Sequence, residues 1–172
     1  MPIQFGLGMR SRPSTTQLQT YLTDLEPNLP KLSKDYESLW ISDHFFWNDT
    51  PTMEVWTVLT YMAARWPTFK VGPMVLGQSY RNPAMLAKMA GTLQFLSGGR
   101  FIMGLGPGWR ADEYHAYGYP FPSAGARLRQ FADPPKILKR VWTPPGKLTS
   151  ESKSNQIQQP SPEPKTHPQP PL

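Results

Sequence analysis

The run of residues 96–121 holds the residue types and spacing that come closest to a ligand-binding loop. Gly104, Gly106 and Gly108 stand at alternate positions, directly after the short apolar run at residues 100–105. Glycines at this spacing remove side chains where a ligand or another stretch of backbone must come close. The pattern indicates a planar ligand lying against backbone, or only a tight turn between a strand and a helix, and spacing alone favours the turn.

Charged residues near this loop offer a second kind of chemistry. Asp112 and Glu113 favour the first turn of a helix, because carboxylates complement its dipole. Arginines beside predicted strand ends or loops could hold an anionic cofactor or substrate by charge-assisted hydrogen bonds, or could lie on a solvated surface. These arginines are Arg10, Arg12, Arg81, Arg100, Arg110, Arg127 and Arg129.

Composition limits the class of protein. The 172 residues, 38% hydrophobic and 12% aromatic, are enough for one ordinary domain or for the front part of a larger one. The chain has no cysteine, which excludes a disulfide framework and a thiolate metal site and fits a reducing cytoplasm. No apolar run approaches the roughly 20 residues that span a bilayer. We therefore expect a soluble, cytoplasmic protein.

Charge and motif spacing exclude further classes of partner. The net charge of +6 is spread along the chain, so nucleic acid is not the favoured partner. His44, His115 and His167 have no spacing that makes a metal site, and no metal is expected. The GLGPGW segment lacks the third glycine of a dinucleotide-binding fingerprint.

Apolar runs alternate with helical segments along the chain. Strands are predicted at residues 3–7, 38–42, 69–76 and 100–105, and helices at residues 16–34, 54–65 and 82–96. Strict alternation implies parallel strands with right-handed crossovers, so the predicted class is α/β. Pro27 and Pro30 should kink or end the first helix, and Pro134 and Pro135 should interrupt the segment 125–142.

The last part of the chain has a different composition. Ten of the 21 prolines lie from Pro134 onward, and residues 144–172 are rich in Pro, Ser, Gln and Lys. Composition alone predicts a polyproline-rich linker or a disordered tail here.

Several segments in this order resemble the N-terminal half of the luciferase-like family of flavin- or deazaflavin-dependent oxidoreductases. They are ESLWISDHFFW at residues 37–47, EVWTVLTYMAA followed by FKVGPMVLG, and RNPAMLAKMAGTLQFLSGGRFIMGLGPGW followed by EYHAYGYPF. The resemblance implies an incomplete TIM barrel of about four parallel strands with alternating helices in residues 1–143. Residues 144–172 would be a proline-rich extension leading to a missing fifth strand, so that the chain is truncated.

The resemblance also implies a site at the carboxyl ends of the strands. His44 would be a catalytic acid or base, and Glu113 a second proton donor. The implied cofactor-binding residues are Gly8, Asp43, His44, Leu76, Gly77, Gly106, Gly108 and Trp109. Each has a structural alternative: His44 bonds loop backbone beside Asp43, and Glu113 only complements a helix dipole. A backbone bulge around residues 72–76 is implied as well.

The implied cofactor is FMN or a deazaflavin of the F420 type, and the SDHF sequence resembles the deazaflavin-dependent branch. With FMN the reaction would be monooxygenation of a small organic substrate, and with the deazaflavin it would be hydride transfer. The alternative is a truncated, catalytically inactive barrel half that acts only as a structural or pairing fragment. Half a barrel exposes a strand edge, which favours a homo-oligomer or pairing with a second barrel half.

Overall fold

The structure is a computed structural model that describes residues 3–11, 20–25, 27–48, 50–143, 149–152, 155–158 and 168–172. The chain divides into two compact units, a first unit of residues 1–75 and 100–104 and a second unit of residues 76–99 and 105–172. The predicted division at residue 143 stays a prediction. Within the described ranges, no helix has the length and apolar character needed to cross a membrane.

The first unit contains a parallel sheet whose strands lie in the order β1 (Gly6–Gly8), β2 (Ser38–Ile41) and β5 (Lys70–Pro73). Leu7 lies opposite Leu39, Leu39 lies opposite Val71, and Phe101 adds a parallel bridge to Val71. The elements are β1 (Gly6–Gly8), α1 (Tyr21–Leu25), α2 (Leu29–Leu32), β2 (Ser38–Ile41), the antiparallel pair β3 (Phe46–Trp47) and β4 (Thr50–Pro51), α3 (Val55–Arg65) and β5 (Lys70–Pro73).

The two faces of this sheet are packed differently. Leu39, Ile41 and Val71 are fully buried, which is expected where a face is covered by helices. On the other face the half-buried Trp40 lies across its neighbours: a Cβ on Gly6 would stand 2.6 Å from its Cδ1, and one on Gly72 would stand 2.7 Å from its Cζ3. Its Nε1 donates to Ser38 Oγ at 2.8 Å. The glycines therefore make room for the indole.

Arg100 fixes the opposite end of the sheet from the strands' carboxyl ends. Its Nη1 donates to the Phe69 carbonyl at 2.5 Å and its Nη2 donates to the Ala63 carbonyl at 2.7 Å. Burial lowers the pKa of this guanidinium from its usual value. Arg100 thus joins the start of β5 to the last turn of α3 through two donors that serve main-chain carbonyls.

The second unit contains a short parallel pair, β6 (Leu76–Gly77) with β7 (Leu105–Gly106), in which Gly77 lies opposite Gly106. Its other elements are α4 (Pro83–Leu96), α5 (Ala111–Ala116), α6 (Ala124–Phe131), α7 (Pro134–Trp142) and the antiparallel hairpin of β8 (Thr149–Ser152) and β9 (Asn155–Gln158). Asn82 caps α4 by accepting from the Ala84 and Met85 amides. Trp142 Nε1 donates to the Ala87 carbonyl at 3.0 Å, so α7 packs on α4.

The described parts of the segment 144–172 are not the tail that composition alone predicts. They include the β8–β9 hairpin, at the place where the resemblance implied a small extension. Gln94, itself 1% exposed, donates to the Pro168 carbonyl at 3.0 Å, and Gln169 donates to the Trp142 carbonyl at 3.1 Å. Residues 168 and 169 therefore lie against α4 and α7.

The α/β class, the parallel pairing and the interruptions at proline are confirmed, whereas several predicted boundaries were wrong. The first strand spans Gly6–Gly8 and not residues 3–7. The third predicted strand is divided into β5 and β6 at Met74 and Val75, which are joined by a cis peptide bond where the resemblance implied a bulge. The first helix ends at Leu25, and Pro134 begins α7.

Candidate functional site

The parallel strands of the first unit end at a polar cavity of about 460 Å³. Its described lining consists of Gly8, Met9, Arg10, Ser11, Ser42 and Thr50. Among the described residues, no atom apart from the chain neighbours lies within 4 Å of the position where a Cβ on Gly8 would stand. The carboxyl ends of β1 and β2 therefore border space that the described residues do not fill, and this is where ligands bind in parallel α/β folds.

His44 and Asp43 follow Ser42 on the loop that leaves β2. Thr52 Oγ1 donates to the His44 carbonyl at 2.7 Å, and the His44 and Trp47 rings meet edge to face with centroids 5.0 Å apart. Asp43 is 7% exposed, while His44 is half-buried. The first unit thus brings Gly8, Asp43 and His44 to one edge of its sheet, although His44 is not among the described residues that line the cavity.

The glycines at the strand ends of the second unit have a different environment. A Cβ on Gly77 would stand 2.7 Å from Cε2 of Tyr80, and a Cβ on Gly108 would collide with the hydroxyl of Tyr114. Gly108 also has a φ of +73°, a conformation that side chains rarely adopt. Two tyrosines of this unit therefore occupy the space that these two glycines provide.

An ionic cluster with a buried Arg110 and Glu113 and an exposed Asp112 lies at the start of α5. Arg110, with a side chain 10% exposed, donates from Nε to Asp112 Oδ1 at 2.9 Å and from Nη2 to Oδ2 at 2.7 Å. This hydrogen-bonded pairing raises the pKa of Arg110 and lowers the pKa of Asp112. Glu113 has a side chain 1% exposed, with its Oε1 4.0 Å from Arg110 Nη1, and its Oε2 accepts from the Tyr80 hydroxyl at 3.3 Å.

The predicted role of Glu113 as a proton donor stays a prediction. Its carboxylate is enclosed between Arg110 and Tyr80, so its visible contacts are internal to the second unit. Trp109 is the contrasting residue, because 64% of its side chain is exposed. Leu76 is fully buried in β6.

Arg127 holds the loop that contains Gly108. Its Nε donates to the Gly108 carbonyl at 3.3 Å, its Nη1 donates to the Pro122 carbonyl at 2.5 Å, and its guanidinium lies 4.1 Å from the centroid of the Phe121 ring. Gln78 Nε2 in turn donates to the Arg127 carbonyl at 2.9 Å. The sequence predicts that Arg110 and Arg127 could hold an anionic ligand. In the structure, both guanidinium groups donate hydrogen bonds within this unit.

Sequence reasoning missed Tyr80, Tyr114 and the part played by Arg127. Tyr114 is fully buried, its ring packs against Tyr80 and Phe121, and its hydroxyl finds no hydrogen-bond partner among the residues that the structure describes. A signal was available only for Arg127, which follows the glycine loop in the block that carries the family resemblance. Among the described residues, no group of three or more metal-ligating side chains occurs.

Comparison with known proteins identifies what these residues are similar to. Residues 34–172 match the family described as luciferase-like monooxygenase. Over 111 residues the chain is 31% identical to an F420-dependent glucose-6-phosphate dehydrogenase of Amycolatopsis mediterranei. This alignment covers 62% of this chain and 33% of that protein. The chain therefore spans about a third of the length of this relative.

Solved structures show the same fold. An F420-dependent secondary alcohol dehydrogenase, in complex with an F420-acetone adduct, matches 100% of this chain and 52% of its own with a TM-score of 0.85 at 18% identity. The oxygenating constituent of 3,6-diketocamphane monooxygenase of Pseudomonas putida, in complex with FMN, is also similar. The match covers 94% of this chain and 45% of that protein, with a TM-score of 0.74 and 20% identity. These neighbours are TIM-barrel enzymes, and the chain has the parallel strands and helices of part of such a barrel. The chain belongs to the luciferase-like monooxygenase family.

Proposed function

We propose that this chain carries the part of an oxidoreductase that binds a deazaflavin or flavin ring and handles the substrate proton. The observation that carries the proposal is the position of His44 on the loop after β2, at the sheet edge where Gly8 borders an open cavity of about 460 Å³. A histidine titrates near neutral pH, so it can accept or donate a proton without a large energetic cost. The open position at Gly8 fits a flat ring lying close to backbone.

The deazaflavin is the first candidate cofactor and hydride transfer the first candidate reaction. The SDHF sequence at residues 42–45 and the similarity to F420-dependent enzymes support it. When bound, a deazaflavin supplies a two-electron hydride carrier, whereas reduced FMN also activates dioxygen. Similarity in fold to an FMN-bound monooxygenase supports monooxygenation as the second candidate.

The residues of the first unit have distinct proposed tasks. His44 exchanges a proton with the substrate, and the bond from Thr52 to its carbonyl together with the edge of Trp47 holds its loop. Asp43 precedes His44 and is nearly buried, which suits an orienting role. Gly8 keeps the cavity open because any side chain there would enter it.

The second unit contributes separate proposed contacts. Trp109 exposes most of its indole and can stack on an aromatic ring. For Leu76, Gly77, Gly106 and Gly108 the proposed contact with a ligand is through backbone, since their side chains are buried or absent and Tyr80 and Tyr114 fill the side-chain positions at Gly77 and Gly108. Glu113 would act as a proton donor only when Tyr80 or Arg110 moves away from its carboxylate.

A binding and turnover experiment tests the proposal. The purified chain is titrated separately with F420 and with FMN, following absorbance and fluorescence of the ring. Turnover is then measured with glucose 6-phosphate and with 2-propanol, probe substrates suggested by the named relatives. The variant H44N should bind the ring as the wild type does but turn over about 100-fold more slowly or worse, the usual contribution of a general acid or base.

The matched control is H115N, because His115 is an exposed histidine on α5. It should leave both binding and turnover unchanged. If the wild type takes up neither ring at micromolar concentration, the proposal fails and the inactive barrel half becomes the better description. If H44N and H115N behave alike, His44 is not the proton-transferring residue.

We also propose that copies of this chain associate through the first unit. Phe5 and Met74 are each 59% exposed and Val75 is 47% exposed, and these apolar side chains flank β1 and β5, the two outer strands of the sheet, where a second copy could cover them. Light scattering of the purified chain should give the mass of a dimer, and F5S with M74S should shift it to the monomer. A monomer in the wild type contradicts this part of the proposal.

A further inference from the structure

Two side chains from later in the chain, those of Tyr114 and Arg127, hold the loop that bears Trp109. Arg127 lies 19 residues downstream and donates to the Gly108 carbonyl at 3.3 Å. Tyr114 places its hydroxyl in the space that a Cβ on Gly108 would need. Gly108 is therefore held at its carbonyl by one residue and at its Cα by another, immediately before the exposed Trp109.

Arg127 is itself fixed on several sides. Its Nη1 donates to the Pro122 carbonyl at 2.5 Å, the Phe121 ring lies under its guanidinium at 4.1 Å, and its own carbonyl accepts from Gln78 at 2.9 Å. A planar guanidinium with two directed bonds and a stacked ring has little rotational freedom. Such a group can hold a neighbouring carbonyl at a constant position.

We propose that Arg127 is a positioning residue: it fixes the conformation of residues 106–110 so that the Trp109 indole is held in place for a planar ring to stack on it. The inference rests on the proposed function for the identity of that ring, a flavin or deazaflavin. The ordering of residues 106–110 by Arg127 does not depend on the proposed function, because it is a property of the protein without a ligand. Arg127 touches neither ring nor substrate in this role and acts through Gly108.

Hydrogen exchange on the whole chain, without any cofactor, tests the positioning role directly. The R127M variant should exchange the amides of Trp109 and Arg110 about tenfold faster than the wild type, because local opening of a loop governs their protection. Amides of β2 and β5 in the first unit should keep their wild-type rates. The R127K variant, which can donate to only some of these carbonyls, should lie between the two.

Arg129 supplies the matched control, because it is an exposed arginine on the same helix, α6. The variant R129M should leave exchange at residues 108–110 unchanged. Equal exchange in R127M and R129M would overturn the proposal. So would a rise in R127M that is uniform over both units, because it would mean that Arg127 supports only global stability.

Titration with FMN and with F420 adds the functional readout. R127M should raise the dissociation constant of the ring that the wild type binds by up to about tenfold, which is the most that loss of one aromatic stacking contact usually costs. If the wild type binds neither ring, the proposed function fails, while the exchange experiment still decides whether Arg127 positions the loop. If R127M does not fold, the intermediate exchange and affinity of R127K carry the test.

Discussion

Gly8 and Gly108 show two opposite uses of a glycine at the end of a strand. At Gly8, in the first unit, no atom of the described residues beyond its chain neighbours comes within 4 Å of the absent side chain, and Gly8 lines a cavity of about 460 Å³. At Gly108, in the second unit, the absent side chain is replaced by the hydroxyl of Tyr114. One glycine leaves room for a ligand, and the other leaves room for the protein.

The difference follows from how much sheet supports each loop. In the first unit β2 pairs with β1 and β5 over whole strands, and the bonds from Met9 N to Trp40 O and from Met74 N to Ile41 O extend the ladder beyond the strand ends. In the second unit β6 and β7 pair over only two positions each. Side chains such as Arg127 and Tyr114 therefore do there what backbone pairing does in the first unit.

The largest expected effect is that of adding one methyl group at Gly108. The variant G108A should lose about 2 to 5 kcal/mol of stability, because it combines a left-handed conformation with a collision against Tyr114. G8A should cost less than about 1 kcal/mol, since its methyl group meets open space. Urea unfolding of both variants, monitored by circular dichroism, measures the difference.

Gly118 separates the two causes at Gly108. It has the same φ of +73° but nothing within 4 Å of its Cβ position, so G118A should cost only the conformational part, about 1 to 2 kcal/mol. Adding Y114F to G108A should restore some stability, because it removes the atom that the methyl group meets. Equal losses in G108A, G118A and G8A would remove the contrast between the two loops.

A smaller effect is expected at the other end of the first unit's sheet. R100M removes two bonds to carbonyls of Phe69 and Ala63 and should cost about 2 to 3 kcal/mol, since a guanidinium donor is lost and buried acceptors remain. The exposed pair of Lys70 and Glu37, 45% exposed on each side, provides the comparison. K70M should cost less than about 0.5 kcal/mol. Cofactor affinity should not change in R100M, and a loss of affinity as large as the loss of stability would contradict the separation of the two sheet ends.

The smallest effect concerns the pH dependence of the Arg110–Asp112 pair. Pairing lowers the pKa of Asp112, so its contribution to stability is present above its unfolded value of about 3.9 and is lost as pH falls through the lower folded value. Because Asp112 is half exposed, solvent screening should keep this contribution to stability small. Thermal unfolding at pH 7 should therefore give the wild type a slightly higher melting temperature than D112N. This margin should close toward pH 3. A margin that widens toward acid pH would contradict the sign.

Sequence patterns predicted the elements better than the contacts between them. Apolar runs located β2 and β5, and the Asn82–Pro83 pair located the start of α4, because these signals depend on neighbouring residues. The break at Met74 and Val75 was not predicted from the residues and entered only through the family resemblance.

The grip on the glycine loop was beyond sequence reasoning for a physical reason. Arg127 reaches the Gly108 carbonyl from 19 positions downstream, and the bond from Gln78 to the Arg127 carbonyl joins residues 49 positions apart. No local periodicity records which arginine or tyrosine will meet a given carbonyl. The strand-end position of His44 was available from the order of elements, whereas the filling of Gly108 by Tyr114 required coordinates.

The indole of Trp40 packs against Gly6 and Gly72, and it constrains the choice of residue at these two positions to different degrees. The three atoms nearest to a Cβ at position 6 belong to the side chains of Trp40 and Ser38, so a smaller residue at position 40 together with a rotated Ser38 hydroxyl would relieve that constraint. A side chain at position 72 would also meet the Ile102 carbonyl, 2.9 Å from its Cβ, and no change at position 40 can move a main-chain atom out of the way. Homologous sequences that have lost the tryptophan should therefore diversify at position 6 while keeping glycine at position 72.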